Sequence, residues 1–536
     1  MVVPAIFSQN ITHGESGMKQ GVIGIDVGTG SARAGIFDLN GNLLGVGKHD
    51  ILLHHGPCGI AEHESTDVRA AVCAATRIAS SEVENIEIIG VGVDAACSLV
   101  VEGQQLSDGG SPERDVIVWM DHRAVAEAEE INAGGYEVLD FVGGRISPEM
   151  QTPKLLWLAR HRPDAFLNAS RFMDLADWLT CWMAGSDARS SCTVTCKWTY
   201  LAHEAKWDES YFRAIGLGSL ADEGFTRIGT DIRTPGSPTG ALSSDAAQAM
   251  GLPVGVPVAA GLIDAHAGGV GTIGAPEGKG NAVSRMAYVF GTSACTMSSH
   301  QSRVNVPGVW GPYFDAMLPD HWLNEGGQSA AGAALDQLVR MHPAFEELSK
   351  REEDVLDYLT QHALNLESPA VWADRAAHLT VVPDFNGNRA PLADPSARAI
   401  VAGLDMSRDE ESLLDLFIAG LIGIGCGLRQ ILEVQMKAGL NTDAIVISGG
   451  AGANLVAQQI FADVTGLDVL VPKTSEPVLL GAAMLGAVAS GAKPDLPSAM
   501  SQMSGISNSI SDSKHSREVY DNIYRRYVAL QTAAAL

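Results

Sequence analysis

Cysteine is scarce in this chain, which has 8 cysteines among 536 residues. None of them form the C-x-x-C spacing of a zinc ribbon or a thioredoxin-like redox site, so neither class is expected. Scattered cysteines of this kind predict reduced thiols in a cytoplasmic protein. Cys192 and Cys196 are four residues apart and would share one face of a helix. Buried thiols are the simpler interpretation of this pair, and a metal site is the alternative.

Basic residues are also few, with 36 Lys and Arg against 63 Asp and Glu and a net charge of −27. This balance argues against nucleic acid or an anionic membrane as a partner. The longest apolar stretches, such as residues 413–428, are interrupted by Asp415 and glycines and are shorter than the ~18 residues of a membrane span. The first twenty residues lack a basic segment followed by a long apolar run, so we expect no signal peptide.

Hydrophobic residues make up 46% of the chain and charged residues 18%, a composition typical of a well-buried globular enzyme. A chain of 536 residues is too long for one core, so two or more domains are expected. The small, glycine-rich stretch 271–280 is the best boundary. We therefore predict an N-terminal extension (1–20), two large domains (21–272 and 273–503) and a C-terminal linker with a helix (504–536).

Two common phosphate-binding motifs are missing: the chain has no G-x-x-x-x-G-K-[ST], and no G-x-G-x-x-G that opens a helix. A different glycine motif is present near the N-terminus. An apolar strand over residues 22–25 ends at Asp26, and Gly28, Thr29, Gly30 and Ser31 turn the chain into a second strand that includes Arg33.

The glycines of this turn let backbone N–H groups converge on one spot, where the hydroxyls of Thr29 and Ser31 add further donors. Asp26 would repel a phosphate there unless a cation lay between them, and Mg²⁺ bridges carboxylate and phosphate oxygens. An ordinary hairpin is the alternative interpretation. The same design recurs at Gly291, Thr292 and Ser293, which predicts a duplicated fold with ATP held between two hairpins.

Several apolar strands end in a carboxylate, which is how a strand delivers a polar group to a cleft. Asp94 and Asp121 follow two of them, although Asp121 also fits a salt bridge at a helix start. Asp264 follows a third and precedes glycines that would let a substrate approach. We interpret Asp264 as a general base for phosphoryl transfer, with a helix cap as the alternative.

Three other features complete the pattern. Lys197 stands alone in an apolar stretch and requires either a partner in a cleft or an outlet to solvent. Glu325 ends a short apolar segment. The turn at Gly449 and Gly450, followed by Asn454 at the start of a helix, could receive an adenine.

Taken together, these segments resemble the FGGY carbohydrate kinases over residues 21–532. The resemblance rests on four segments: the Asp26 hairpin, the Asp264 segment, the Gly291 hairpin and the glycine turn that ends at Asn454. The segments at 119–123, 196–200, 307–313 and 384–394 resemble the ribulokinase branch of that family. The resemblance implies an α/β fold of the two-lobed, actin-like (ribonuclease H-like) ATPase type, with duplicated domains and an active-site cleft between them.

The resemblance also implies roles for individual residues. Asp264 would be the catalytic base; Asp94, Cys97, Asp121, Lys197, Asp264 and Glu325 would contact the sugar; and Asp26 would hold Mg²⁺ through water. The nucleotide would lie against Gly28, Thr29, Gly30, Ser31, Arg33, Gly291, Thr292, Ser293, Gly449, Gly450 and Asn454.

The expected activity is ATP-dependent phosphorylation of the O5 hydroxyl of a ketopentose, with D-ribulose as the first choice. L-Ribulose, ribitol and D-xylulose are alternative substrates. An actin-like ATP-binding chaperone or filament subunit is the alternative from another class. The expected partners are ATP, Mg²⁺ and a small sugar, and a homodimer is common among similar proteins.

Overall fold

The computed structural model describes residues 18–106, 114–514 and 516–534. Most of the predicted N-terminal extension, residues 1–17, lies outside this range. The first strand begins at Lys19, two residues before the boundary expected from sequence.

The first half of the chain is organised around a seven-stranded sheet. Its core is an antiparallel meander of β1, β2 and β3, and β6 pairs in parallel with β1 on the other side. In chain order the first-half elements are β1 Lys19–Val27, β2 Ser31–Asp38, β3 Leu43–Asp50, β4 His54–His55, β5 Ala61–His63, α1 Ser65–Ser81, β6 Ile86–Ala95, β7 Leu99–Val101, β8 Val116–Ile117, α2 Val125–Ala133, α3 Gln151–His161, α4 Pro163–Asn168, β9 Phe172–Asp174, α5 Leu175–Ala184, β10 Arg189–Ser190, α6 Ser191–Trp198, α7 Glu209–Ala214, α8 Gly218–Asp222, β11 Ile232–Arg233, β12 Pro238–Ala241, α9 Ser244–Met250, β13 Pro257–Ala259, β14 Leu262–Ile263 and α10 Asp264–Ile273.

The second half has its own seven-stranded sheet, ordered β17-β18-β16-β15-β21-β22-β23. Its elements are β15 Arg285–Phe290, β16 Ala294–His300, β17 Trp310–Phe314, β18 Trp322–Gln328, α11 Gly332–Arg340, α12 Phe345–Leu348, α13 Val355–Leu364, α14 Pro369–Ala376, β19 Thr380–Val382, β20 Ile400–Ala402, α15 Glu410–Lys437, β21 Ala444–Ser448, α16 Leu455–Thr465, β22 Asp468–Pro472, α17 Pro477–Ala489, α18 Leu496–Met503, β23 Ile506–Ile510 and α19 Arg517–Ala534.

The two sheets repeat one topology. In each, the strand that opens the half forms a hairpin with the next strand and pairs in parallel with a later one: β1 with β2 and β6, and β15 with β16 and β21. Both hairpins turn at the glycine motifs singled out in the sequence. The duplicated α/β architecture predicted from sequence is therefore confirmed.

Helix α17 joins the halves, although it follows strands of the second sheet. It lies on β1 and β6 of the first sheet and against α10. Glycines make this approach so close that backbone meets backbone: a Cβ at Gly24 would lie 2.0 Å from the carbonyl oxygen of Leu479, and one at Gly481 would lie 1.9 Å from that of Ala267. Because α10 begins at Asp264, α17 fixes the helix that carries the expected base.

Substitution of Gly481 by Val should lower the melting temperature by several degrees, since forced overpacking of a core costs about 1–3 kcal/mol. Differential scanning calorimetry measures the shift. Gly218→Ala is the matched control, because the nearest atom to a Cβ there is an arginine side chain at 3.6 Å. Equal melting temperatures for the two variants would contradict the close packing described here.

The longest apolar stretch and the serine-rich segment near the C-terminus both form regular secondary structure. The longest apolar stretch forms helix α15, and 83% of its most apolar window is buried inside the protein, as in a core helix. The serine-rich segment expected to be a linker is not one, because Ile506–Ile510 forms β23 at the edge of the second sheet. An edge strand can carry exposed polar side chains, which is why composition alone indicated a loop. Helix α19 buries Tyr520, Ile523, Tyr524 and Tyr527 as predicted.

Candidate active site

The first glycine turn closes as a tight hairpin at the end of β1. The N–H of Gly28 donates to the carbonyl of Ser31 at 3.0 Å. The indole Nε1 of Trp119 donates to the hydroxyl of Thr29 at 2.9 Å, which orients that side chain. Gly30 is exposed at the tip. The tip of the turn is thus accessible to a ligand.

Arg33, an expected nucleotide ligand, contacts two carboxylates. Its Nε donates to Asp26 Oδ2 at 2.8 Å, and its Nη1 donates to Glu476 Oε2 at 3.0 Å. Glu476 immediately precedes α17, so Arg33 links the two halves through a pair of carboxylates. The sequence gives no local sign of the contact between Arg33 and Glu476, because the two residues are 443 positions apart.

Three carboxylates converge beside this turn. Asp26 and Asp94 are cross-strand partners on β1 and β6, and β14 pairs with the end of β6 so that Asp264 follows next to them. Burial, and then the charges of Asp26 and Asp264, raise the pKa of Asp94 well above its usual value. Burial, followed by the charge of Asp26, raises the pKa of Asp264 to about 6. Asp26 and Asp264 therefore belong to one site.

The oxygens of Asp94 are buried and have no hydrogen-bond donor among the described residues. A cluster of mutually repelling carboxylates with unsatisfied oxygens is the donor set that a hard divalent cation prefers. These residues fit Mg²⁺, and Asp26 at the mouth of the glycine turn is the residue that would hold it.

Lys197 and Glu325 are buried groups of opposite charge, one from each half, that influence each other electrostatically. Each is 5% exposed. Burial by itself would raise the pKa of Glu325, but the charges of Lys197, His266 and Arg389 together lower it to about 2. Burial opposes the charge on Lys197, yet Glu325 holds the pKa of that ammonium well above its usual value. Both groups are therefore charged at neutral pH.

The ammonium of Lys197 still has capacity for a ligand. It lies 5.2 Å from the centroid of the Trp310 ring, and it donates no hydrogen bond to any residue in the described parts of the chain. Buried donors of this kind usually have partners. Sugar hydroxyls would supply them.

Two other residues expected to contact the sugar have different surroundings. Cys97 is buried near Lys197, and burial raises the pKa of its thiol to about 12, so it is a neutral group. Asp121 is buried, and its oxygens accept from Arg123 at 2.7 and 2.8 Å and from the N–H of Ala61 at 2.7 Å. The salt-bridge alternative therefore describes Asp121 better than a sugar contact does.

The second half contributes the matching hairpin. The N–H of Gly291 donates to the carbonyl of Ser293 at 2.9 Å, and Thr292 is exposed at the tip. The glycines at 449 and 450 are exposed after β21. Asn454, expected to reach the adenine, instead caps α16 through the N–H of Ala457 and donates to Thr360 at 2.7 Å. The side chain of Asn454 therefore stabilises the start of α16, because the side-chain oxygen of an N-cap residue accepts a hydrogen bond from a helix N–H.

Three side chains of the site were not among the predicted ligands. His266 links Cys192 and Glu325, whereas Trp310 and Arg389 flank Lys197 and Glu325, with Arg389 5.5 Å from the Trp310 ring centroid. Trp310 is the cross-strand partner of Glu325. The isolated Trp and Arg in glycine- and proline-rich segments were the available signals, but only strand pairing shows which residue they face.

The fold and the site together define a class. Each of two duplicated α/β lobes carries a glycine hairpin, and a carboxylate cluster lies beside the first, an arrangement that suits a two-lobed phosphotransferase. Family models extend this to the sequence: the N-terminal domain model of the FGGY family of carbohydrate kinases matches residues 21–271, and the C-terminal domain model of the same family matches residues 286–490. The chain belongs to the FGGY family of carbohydrate kinases, whose members use ATP as the phosphate donor.

Individual relatives agree with this assignment. The chain is 39% identical to the human FGGY carbohydrate kinase domain-containing protein, with 96% of this chain and 97% of the relative covered. It is 35% identical to a D-ribulokinase of Saccharomyces cerevisiae, over 87% of this chain and 72% of the relative. Among solved structures, a xylulose kinase from Rhodospirillum rubrum superposes with a TM-score of 0.78 at 21% identity and covers 96% of this chain and 98% of that one.

Proposed function

We propose that this carbohydrate kinase transfers the γ-phosphoryl group of ATP to the O5 hydroxyl of D-ribulose, giving D-ribulose 5-phosphate and ADP. The observation that carries the proposal is the grouping of the buried Lys197 and Glu325 near Asp264. It offers one cationic donor and one anionic acceptor to a polyhydroxylated ligand. The similarity to the yeast D-ribulokinase, at 35% identity, favours D-ribulose within the class.

Asp264 supplies the acid–base step in this proposal. Its carboxylate accepts the proton of the terminal hydroxyl as the oxygen bonds to the γ-phosphorus and the bond to the ADP oxygen breaks. Lys197 and Glu325 hold the sugar so that this hydroxyl faces the phosphate. The two glycine turns bind phosphate oxygens through backbone N–H groups, and Gly449 and Gly450 leave room for the adenosine.

Mg²⁺ would be held by Asp26 and would neutralise charge on the β- and γ-phosphates. Asp94, with its raised pKa, is the neighbouring carboxyl whose oxygens remain free for water bound to such an ion. Removal of divalent cations by a chelator should abolish turnover.

A coupled ADP-release assay with a panel of ketopentoses and pentitols tests the substrate. D-Ribulose should give the highest kcat/KM. Higher values for L-ribulose, ribitol or D-xylulose would replace D-ribulose with that substrate. ATP hydrolysis unaffected by every sugar, together with peptide binding or polymerisation, would overturn the kinase proposal.

The pH dependence follows from Asp264, whose pKa is raised to about 6 by burial and the charge of Asp26. A general base works only when unprotonated, so activity is present above this pKa and is lost as the pH falls through it. We expect kcat/KM for the sugar to fall about tenfold per unit below pH 6. MgATP affinity, measured separately at each pH, controls for protonation of the nucleotide. A flat profile down to pH 5 would contradict the assignment.

Three further expectations remain proposals. The proposed domains are residues 21–272 and 273–503. Helix α17 belongs to the second of these in sequence but packs on the sheet of the first. A homodimer would be detected by light scattering during size-exclusion chromatography. A cytoplasmic location would be detected by fractionation of the source cells.

A further inference from the structure

A second cluster of chemically active side chains lies behind the sugar pocket. Cys192 and Cys196 occupy successive turns of α6, and His266 lies on α10; all three are 0% exposed. One ligand atom from each lies within 4.8 Å of the other two. The proposed phosphoryl transfer uses none of these atoms.

We propose that Cys192, Cys196 and His266 form a binding site for one thiophilic divalent cation of the Zn²⁺ class. With ordinary Zn–S and Zn–N bond lengths, ligand atoms of a tetrahedral site lie roughly 3.5–3.8 Å apart. Since the ligand atoms lie within 4.8 Å of one another, the separations exceed these values by at most about 1.0–1.3 Å. Two thiolates and a neutral imidazole also cancel the charge of the ion, which suits a fully buried site.

The surroundings of the cluster are those of metal ligands. Glu325 Oε2 lies 3.3 Å from Nε2 of His266, so the carboxylate accepts the Nε2 proton and leaves Nδ1 facing Cys192 at 3.1 Å. Metal-bound histidines almost always donate their other ring N–H to an acceptor, and a carboxylate is one of the usual acceptors. The N–H of Ile263 donates to the sulfur of Cys192 at 3.4 Å, which stabilises a thiolate.

The site has a structural consequence for catalysis. Helix α6 carries Lys197 next to Cys196, and α10 carries Asp264 two residues before His266. A cation bound by both helices would fix the separation between the sugar-binding lysine and the base. Complete burial favours loading while the chain folds, since both thiols come from one short helix.

Metal content of the full chain, purified without a histidine tag, tests the proposal directly. We expect about one equivalent of Zn²⁺ per chain after desalting, because the three ligands form a single site. Co²⁺ added to metal-depleted protein should give sulfur-to-cobalt charge-transfer absorption. The double variant Cys192→Ser/Cys196→Ser should lose both signals. Cys426→Ser, which removes a buried thiol in the other half, should keep both.

If the double variant does not fold, X-ray absorption of the Zn²⁺-loaded wild type tests the proposal instead. The spectrum should show two sulfur ligands. A shell of oxygen and nitrogen alone would overturn the proposal. Absence of bound metal, or a cobalt spectrum that is unchanged in the double variant, would also overturn it. The cluster would then be a metal-free cysteine–histidine pair. These readouts do not depend on sugar turnover, so their failure leaves the kinase function untouched.

Discussion

Substitution of Asp264 by Asn should lower kcat about 10²–10⁴-fold, the usual contribution of a positioned general base. The amide has nearly the same shape but cannot accept the proton of the attacking hydroxyl. Removing the negative charge also relieves repulsion with Asp26, so the affinity for MgATP should stay close to that of the wild type. Steady-state kinetics with ATP and D-ribulose provide the measurement.

Asp245→Asn is the matched control for this substitution, because Asp245 lies in the first turn of α9 and is exposed. It should leave kcat unchanged. If the Asp264 variant turns over at the wild-type rate, Asp264 is not the base, and another carboxyl of the cluster has to be considered.

Substitution of Lys197 by Met should have the second largest effect. It removes the donors that face the sugar and leaves Glu325 with one cation fewer in a buried site. A hydrogen bond to a charged group contributes about 1.5–3 kcal/mol, so two such bonds correspond to a loss of roughly 10²–10⁴ in kcat/KM for the sugar. Leaving the buried Glu325 charge with fewer compensating cations should also lower the stability, by up to about 3–5 kcal/mol.

The double variant Lys197→Met/Glu325→Gln separates these two effects. It removes both charges, so the melting temperature should recover toward that of the wild type while kcat/KM stays low. Wild-type kcat/KM in the single variant would show that Lys197 does not contact the sugar. Recovery of activity in the double variant would show that its role is only to neutralise Glu325.

Much of this architecture could be predicted from the sequence because its signals are local. An apolar run that ends in a carboxylate and a glycine turn specifies a strand and its hairpin within about fifteen residues, and the recurrence of the pattern at Gly291 predicts the duplication. Asp26, Asp94 and Asp264 were found in this way, since each directly follows apolar strand residues. The position of Lys197 in a buried segment was likewise readable, because an unpaired ammonium there demands a partner.

Only the tertiary structure decided which groups those residues meet. Arg33 contacts Glu476, Asn454 contacts Thr360, and His266 lies between Cys192 and Glu325, all through pairings of residues far apart in the chain. A side chain with several possible partners gives no local sign of which one it will bind. The sequence thus determined the strands, the turns and the chemistry they carry. Packing of α17 and pairing of β18 determined how that chemistry is assembled, because those contacts depend on the relative placement of both halves.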